Sequence, residues 1–424
     1  MVSLVLAACS PATGPNASGK SLRIGVDLPL TGPEGRAAAT ALDGITYYVR
    51  VHPSIGGFAV SLAVKDDAGG GPADPSRGVA NVQALLADSK VVAMIGPLDG
   101  AVARQEIPSA NAAGLAMLSP ATSNRCLTRD DYMPALLNPE RTPISCKSVG
   151  LPAASELRPA HTNNFFRLAA TDELQGAAAA DYAFDTLRVL KAAVISDEEL
   201  YGQGLAGAFA ARFTGRGGTV TGRLDTDLGD SAGVASFLGR MKSAGAQAVY
   251  YGGVAEGCAI RAQMASIFPT GPSTPFLGAD GIAQDPDCVR AAGQNAAGVM
   301  ATVPLADASS RAEATGTIRA FKSVFSRASE FGPLTMPAYD ATAVLYAAIG
   351  RAINAAGGGL PTRTDVIAEL ARTSGFDGIT GTLGFDASGD ATSRVISIFE
   401  ATGPDPGGAW RLAGMVDYSA RLPY

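Results

Sequence analysis

From Leu22 onward the chain alternates short apolar, β-branched runs with amphipathic windows of helical period. Apolar runs of about four to eight residues mark strands buried on both faces, and the helical windows between them mark helices that cover those faces. The pattern predicts strands at 22–28, 60–66, 91–96 and 115–119, separated by helices at 39–52, 75–86 and 102–113. Asp74-Pro75-Ser76 gives the second of these helices a capping carboxylate and a proline at its first turn. Between 127 and 164 the alternation stops, in a stretch holding five prolines, which predicts a surface insertion. A second alternating block follows, with strands at 192–196, 220–225, 248–251 and 276–278 and helices at 173–187, 206–215, 231–244 and 259–268. A strand-like run at 298–304 then leads into helices at 312–328, 339–356 and 364–371, and 381–418 reads as short antiparallel strands.

Repeated strand–helix units of this kind build parallel sheets flanked by helices. Two such blocks predict an α/β protein of two lobes. We expect lobe 1 at 22–167 plus 299–375, carrying the insertion 127–164, and lobe 2 at 168–298 plus 376–424. The hinge strands are expected near 167–170, 299–304 and 375–380. Ligands of such sheets sit at the carboxyl ends of the strands, in the crevice between lobes.

A formal net charge of −6 without a run of Lys or Arg removes the footprint that nucleic-acid binding needs. His52 and His161 are the two histidines, too few for a His-rich metal cluster, and neither lies in a nucleophile setting. No stretch of about 18 apolar residues occurs to span a membrane as a helix. Leu6-Ala7-Ala8-Cys9 resembles a bacterial lipoprotein cleavage box, with Cys9 the lipidated residue, and 10–20 suits a flexible tether. Met1–Val5 departs from a full signal peptide in lacking basic residues. The other cysteines form an even set whose spacing suggests Cys126 with Cys146 and Cys258 with Cys288, although three pairings are open and so is a reduced set.

Gly202-Gln203-Gly204-Leu205-Ala206-Gly207 matches the dinucleotide fingerprint, but its context is wrong. Asp197, Glu198 and Glu199 intervene between strand and glycine, where they would repel a pyrophosphate.

Several stations along the chain together resemble the leucine/isoleucine/valine-binding family of periplasmic binding proteins. They are Ile24–Pro33 (IGVDLPLTGP), Asp66-Asp67-Ala68, Val91–Pro97 (VVAMIGP), Leu118–Thr122 (LSPAT), Phe166-Arg167 with Asp172–Gly176, Tyr201–Gly204, Tyr250–Gly253, Phe276–Gly281, and Gly384–Asp386 with Gly389-Asp390. The resemblance implies the two-lobed type I periplasmic-binding fold, and capture of an amino acid or related small solute for an ABC importer. It calls for no catalytic residue, no cofactor and no metal. Its partners are the solute and membrane permease subunits, and its place is outside the cytoplasmic membrane, lipid-anchored or periplasmic.

Carried onto this sequence, the resemblance puts the main chain of Ala121 and the hydroxyl of Ser123 on a ligand carboxylate, beside Gly100 and Thr122. Asp280 falls at the acidic partner of the ammonium, with Asp172 as a second candidate and Tyr201 closing from the other lobe. Each has a plainer reading: helix capping for Asp172 and Asp280, turn bonding for Ser119 and Thr122, packing for Tyr201. Gly100 replaces a hydroxyl common in the family. Aromatic walls fall near Ala37, on Val254 and around 334–336, which implies a larger, softer pocket. Asp99 and Glu256, if turned inward, would favour a more cationic ligand than leucine. The rival readings are an extracellular sensor with the same fold and, from another class, a two-lobed transferase.

Overall fold

The computed structural model describes residues 19–138, 140–268, 273–327, 331–405 and 410–422. Cys9 and the lipobox lie outside the described residues.

The first alternating block folds as its pattern predicts. Strands β1 (Ser21–Leu28), β2 (Ser54–Ile55), β3 (Phe58–Asp66), β4 (Val91–Ile95) and β5 (Ala116–Ser119) are joined by helices α1 (Gly35–Val51), α2 (Pro75–Leu86) and α3 (Gly100–Ala112). The insertion carries a small antiparallel pair, β6 (Asp131–Met133) and β7 (Ile144–Ser145), before β8 (Phe165–Arg167) returns to the sheet. The sheet order is β2-β3-β1-β4-β5-β8, parallel except at the β2 edge. Every residue of β4 and β5 is buried, as strands covered on both faces require.

The second lobe is built from α4 (Asp172–Asp181), β9 (Lys191–Ser196), α5 (Leu200–Gly215), β10 (Thr219–Asp225), α6 (Ser231–Ser243), β11 (Ala248–Gly252), α7 (Ala259–Ile267), β12 (Phe276–Gly278), α8 (Pro286–Ala292) and β13 (Val299–Val303). Helix α4 runs on through a π-helical turn at Tyr182–Thr186. The chain then returns to the first lobe with α9 (Ala314–Val324), α10 (Thr335–Ala355) and α11 (Arg363–Ala371), the last two packing into the core beneath β1 and β4. A hairpin, β14 (Phe376–Gly378) and β15 (Gly381–Leu383), precedes β16 (Val395–Ala401) and β17 (Trp410–Asp417), which close the second sheet in the order β10-β9-β11-β12-β13-β16-β17. Disulfides join Cys126 to Cys146 and Cys258 to Cys288, as their spacing suggests.

Two lobe assignments made from sequence need correction. Strand 299–303, placed with lobe 1, pairs with β12 and β16 and is a central member of the second sheet. The segment 376–385, placed with lobe 2, stays on lobe 1, because Asp340 of α10 accepts from Ile379 N (3.0 Å) and Thr380 N (2.7 Å), and Leu383 and Phe385 enter the first core. The third crossing therefore falls between Phe385 and β16, later than the expected 375–380. A periodicity reading assigns a strand its type but not its sheet, since β partners are chosen by tertiary contact.

Candidate ligand-binding site

The carboxyl ends of β5, β9, β11 and β12 converge with the start of α4. At the end of β5, Ser119 makes a tight turn: its hydroxyl donates to Pro97 O (2.6 Å) and accepts from Ala121 N (3.3 Å) and Thr122 N (2.9 Å). Thr122 is buried, and its own hydroxyl has no protein partner. The carbonyl of Ser123 accepts from Asp172 N (3.0 Å), which sets the Ser123 hydroxyl beside the Asp172 carboxyl, where it favours the ionised form. Asp172 opens α4 without capping it. Gln175, one turn later on the same helix face, donates to Asp280 Oδ1 (3.0 Å) and is steadied by Thr302 through its Oε1 (3.3 Å). The Tyr201 hydroxyl donates to the same Asp280 oxygen (2.5 Å) and accepts from Gly281 N (2.9 Å).

Asp172 and Asp280 thus lie near one another at the base of the cleft, close enough for the Asp280 charge to act on Asp172. Burial, and then the neighbouring Asp280 charge, push the Asp172 carboxyl up to about 7. Burial also raises Asp280, against the donors Tyr201 and Gln175 that favour its ionised form. The Tyr201 hydroxyl is held well above its ordinary range by burial and the adjacent Asp280. The Asp172 Oδ1 oxygen has no protein partner. Among the described residues no cation forms an ion pair with either carboxylate. Arg167, whose field reaches Asp172, is committed instead to Asp390 (2.8 Å), Asn124 O (2.6 Å) and Thr128 (2.5 Å).

The remaining sequence candidates lie further out. Asp99 caps α3, accepting from Ala101 N (2.7 Å) and Val102 N (2.8 Å), so its carboxylate is turned to its own helix. Gly100, the first residue of α3, is half-buried, as is Ala121. Val254 and Glu256 are exposed, at the turn that Cys258 ties to α8. The glycines of the fingerprint-like motif are inside α5, and a Cβ on Gly202 would lie 2.6 Å from Gly252 O, so this glycine serves helix–sheet contact and not phosphate binding. The sequence reading missed Gln175 and Thr302 as site residues. The Asp172–Gln175 spacing on a helix was the available signal for the first. Thr302 had none, because β13 had been assigned to the other lobe.

A model of the periplasmic binding protein family matches residues 21–407. The chain belongs to that family. The Leu/Ile/Val-binding protein homolog 3 of Brucella melitensis is 29% identical over 384 residues, covering 89% of this chain and 91% of that one. Among solved structures, the branched-chain amino acid transporter substrate-binding protein LivJ of Streptococcus pneumoniae, in complex with isoleucine, superposes with a TM-score of 0.70 at 18% identity, over 94% of this chain and 99% of that chain. A solute-binding protein of an R. palustris ABC transporter, in complex with benzoate, gives 0.66 at 19% identity, over 93% and 96%. These two show the shared two-lobed fold. As a family member the chain is an extracytoplasmic solute-binding protein. Among its described residues no helix is long and apolar enough to cross a membrane.

Proposed function

We propose that the cleft captures an α-amino acid, holding its ammonium between Asp172 and Asp280 and its carboxylate at the β5 turn, and that the closed form delivers it to an ABC importer. The observation that carries this reading is the pair of carboxylates at the base of the cleft without a protein cation. Two like charges in a desolvated site are costly, and an ammonium between them relieves both the repulsion and the orphaned Asp172 oxygen. The Ser123 hydroxyl is turned to Asp172 on the ammonium side, while the buried Thr122 hydroxyl, which has no protein partner, offers a donor to the ligand carboxylate at the β5 turn. Gly100 and Ala121 contribute main chain there. Tyr201 closes from lobe 2, while Val254 and Glu256 lie at the rim. The chemistry assembled among the described residues is that of binding a charged solute. Anchoring through a lipid on Cys9 would keep the protein beside its permease.

A simple aromatic acid fits this site less well, since it brings a carboxylate and no ammonium to two acids. A thermal-shift screen of the protein against amino acids, polyamines, aromatic acids and sugars tests the reading. A ligand at 100 times its Kd adds about 2.7 kcal/mol, a shift of several degrees. An α-amino acid should give that shift and Asp280→Ala should abolish it. Stabilisation by aromatic acids alone would overturn the ammonium assignment.

A further inference from the structure

The insertion between β5 and β8 begins and ends on the first sheet, yet its tip rests on the second lobe. At its base, Leu127 and Leu157 are buried with Val82, Leu85 and Phe165 of lobe 1. Asp130 draws its two halves together, its side chain accepting from Ala154 N (2.9 Å) and its carbonyl from Cys146 N (2.9 Å), beside the Cys126–Cys146 disulfide. At the tip, Met133 and Leu137 are buried against Ala208 of α5. Tyr132 packs with Leu200 next to the disulfide, and its hydroxyl donates to the Leu200 carbonyl.

Helix α5 is shaped to receive this arm. A Cβ on Gly204 would lie 2.5 Å from the Tyr132 hydroxyl oxygen. Glycine is a poor helix former, so its presence in mid-helix calls for a packing reason, and the ring of Tyr132 supplies one. Leu200, the acceptor, immediately precedes Tyr201, whose hydroxyl is bonded to Asp280. Tyr132 is itself close enough to Asp172 for that charge to add to burial in raising its hydroxyl.

We infer that segment 125–157 is an interlobe clasp, and that Tyr132 is a positioning residue which fixes the Leu200–Tyr201 start of α5 so that Tyr201 is presented to Asp280. The inference rests on the reading of Tyr201 and Asp280 as ligand anchors. Opening the cleft must then break the Tyr132–Leu200 bond and lift Met133 and Leu137 from α5. The disulfide keeps the arm folded as one unit, so that this contact is made or broken as a whole.

The test is amide hydrogen exchange on the full chain without ligand, for wild type, Tyr132→Phe, Cys126→Ser/Cys146→Ser and Gly204→Ala. Exchange across 197–208 should quicken about fivefold to tenfold in all three variants, with α6 of the same lobe unchanged. Gly204→Ala discriminates sharply. Helix propensity alone predicts slower exchange, whereas displacement of Tyr132 predicts faster. L-leucine affinity then reads the positioning role: Tyr132→Phe should weaken it in wild type but not in a Tyr201→Phe background. Additive losses would make Tyr132 merely structural and overturn that role. Unchanged exchange in Tyr132→Phe, or slower exchange in Gly204→Ala, would overturn the clasp. If L-leucine fails to bind wild type, the ligand reading fails for that probe, and exchange alone decides the clasp.

Discussion

Two clusters of acidic residues lie on either side of the β8–α4 crossing, and they are treated oppositely. Behind it, Asp390 is bonded to Arg167 (2.7 Å) and Arg129 (3.0 Å), Asp386 to Arg129 (2.6 Å) and Arg394 (3.1 Å), and Glu173 and Asp131 to Arg125. Burial would raise the Asp390 carboxyl, but Arg167, the Thr128 hydroxyl and Arg129 outweigh it and hold the group at about 2. In front, Asp172 and Asp280 have hydroxyl, amide and backbone partners but no ion pair among the described residues, and burial leaves both raised. On the proposed reading, the difference separates acids that fasten the crossing strands from acids left for an arriving charge. A desolvated carboxylate is expensive wherever it sits, so an unpaired pair at a cleft base is informative where a paired set is not.

The first way to break the comparison is Arg167→Met. Arg167 is fully buried, and its loss strands Asp390 without its main counterion, so unfolding in urea should show about 3–5 kcal/mol less stability. Asp280→Asn should do the reverse: stability holds or rises as like-charge repulsion goes, while amino-acid affinity by calorimetry falls about a hundredfold. A loss of stability equal to that of Arg167→Met would erase the distinction.

The pH dependence of the two clusters has opposite sign. Asp390 is depressed, so its contribution is present above the unfolded value of about 4 and is lost as pH falls toward about 2. Asp172 is raised, so its contribution to the ligand-free protein is present below about 4 and is lost as pH rises through about 7. Ligand affinity runs the other way for Asp172, weakening below about 7 as protons compete with the ammonium. A third acid set acts with Asp172 on the free protein. Asp27, Asp67 and Glu106 are fully buried in lobe 1, where Asn81 donates to Asp27 (2.9 Å) and the Glu106 carboxyl lies against that of Asp27. Burial pushes Asp27 up to about 6, while burial and then the Asp27 charge push Asp67 up to about 8. Urea midpoints should therefore decline from pH 5 to pH 9, and Glu106→Gln should flatten that decline. The smallest effect expected is Asp99→Ala, which removes the α3 cap and should cost about 1 kcal/mol with little change in affinity.

The sequence by itself determined the elements and the class. Strands β1, β4, β5, β9 and β11 are short apolar runs whose burial on both faces follows from their composition, and the Asp74-Pro75 start of α2 is local chemistry. The disulfides were legible as spacing, and the candidate anchors Asp172, Tyr201 and Asp280 as positions in a family pattern. What only the tertiary structure decided is partnership across distance. Residue type and period are set within a few neighbours along the chain. Whether β13 joins the first or the second sheet, whether Asp99 turns to its own helix or to the cleft, and which acids meet an arginine depend on groups far apart in sequence. The insertion shows this most clearly. Its prolines and lost periodicity announce a surface loop, but that it crosses to α5 and meets Gly204 is decided only when both lobes are folded and Tyr132 finds the space a glycine leaves.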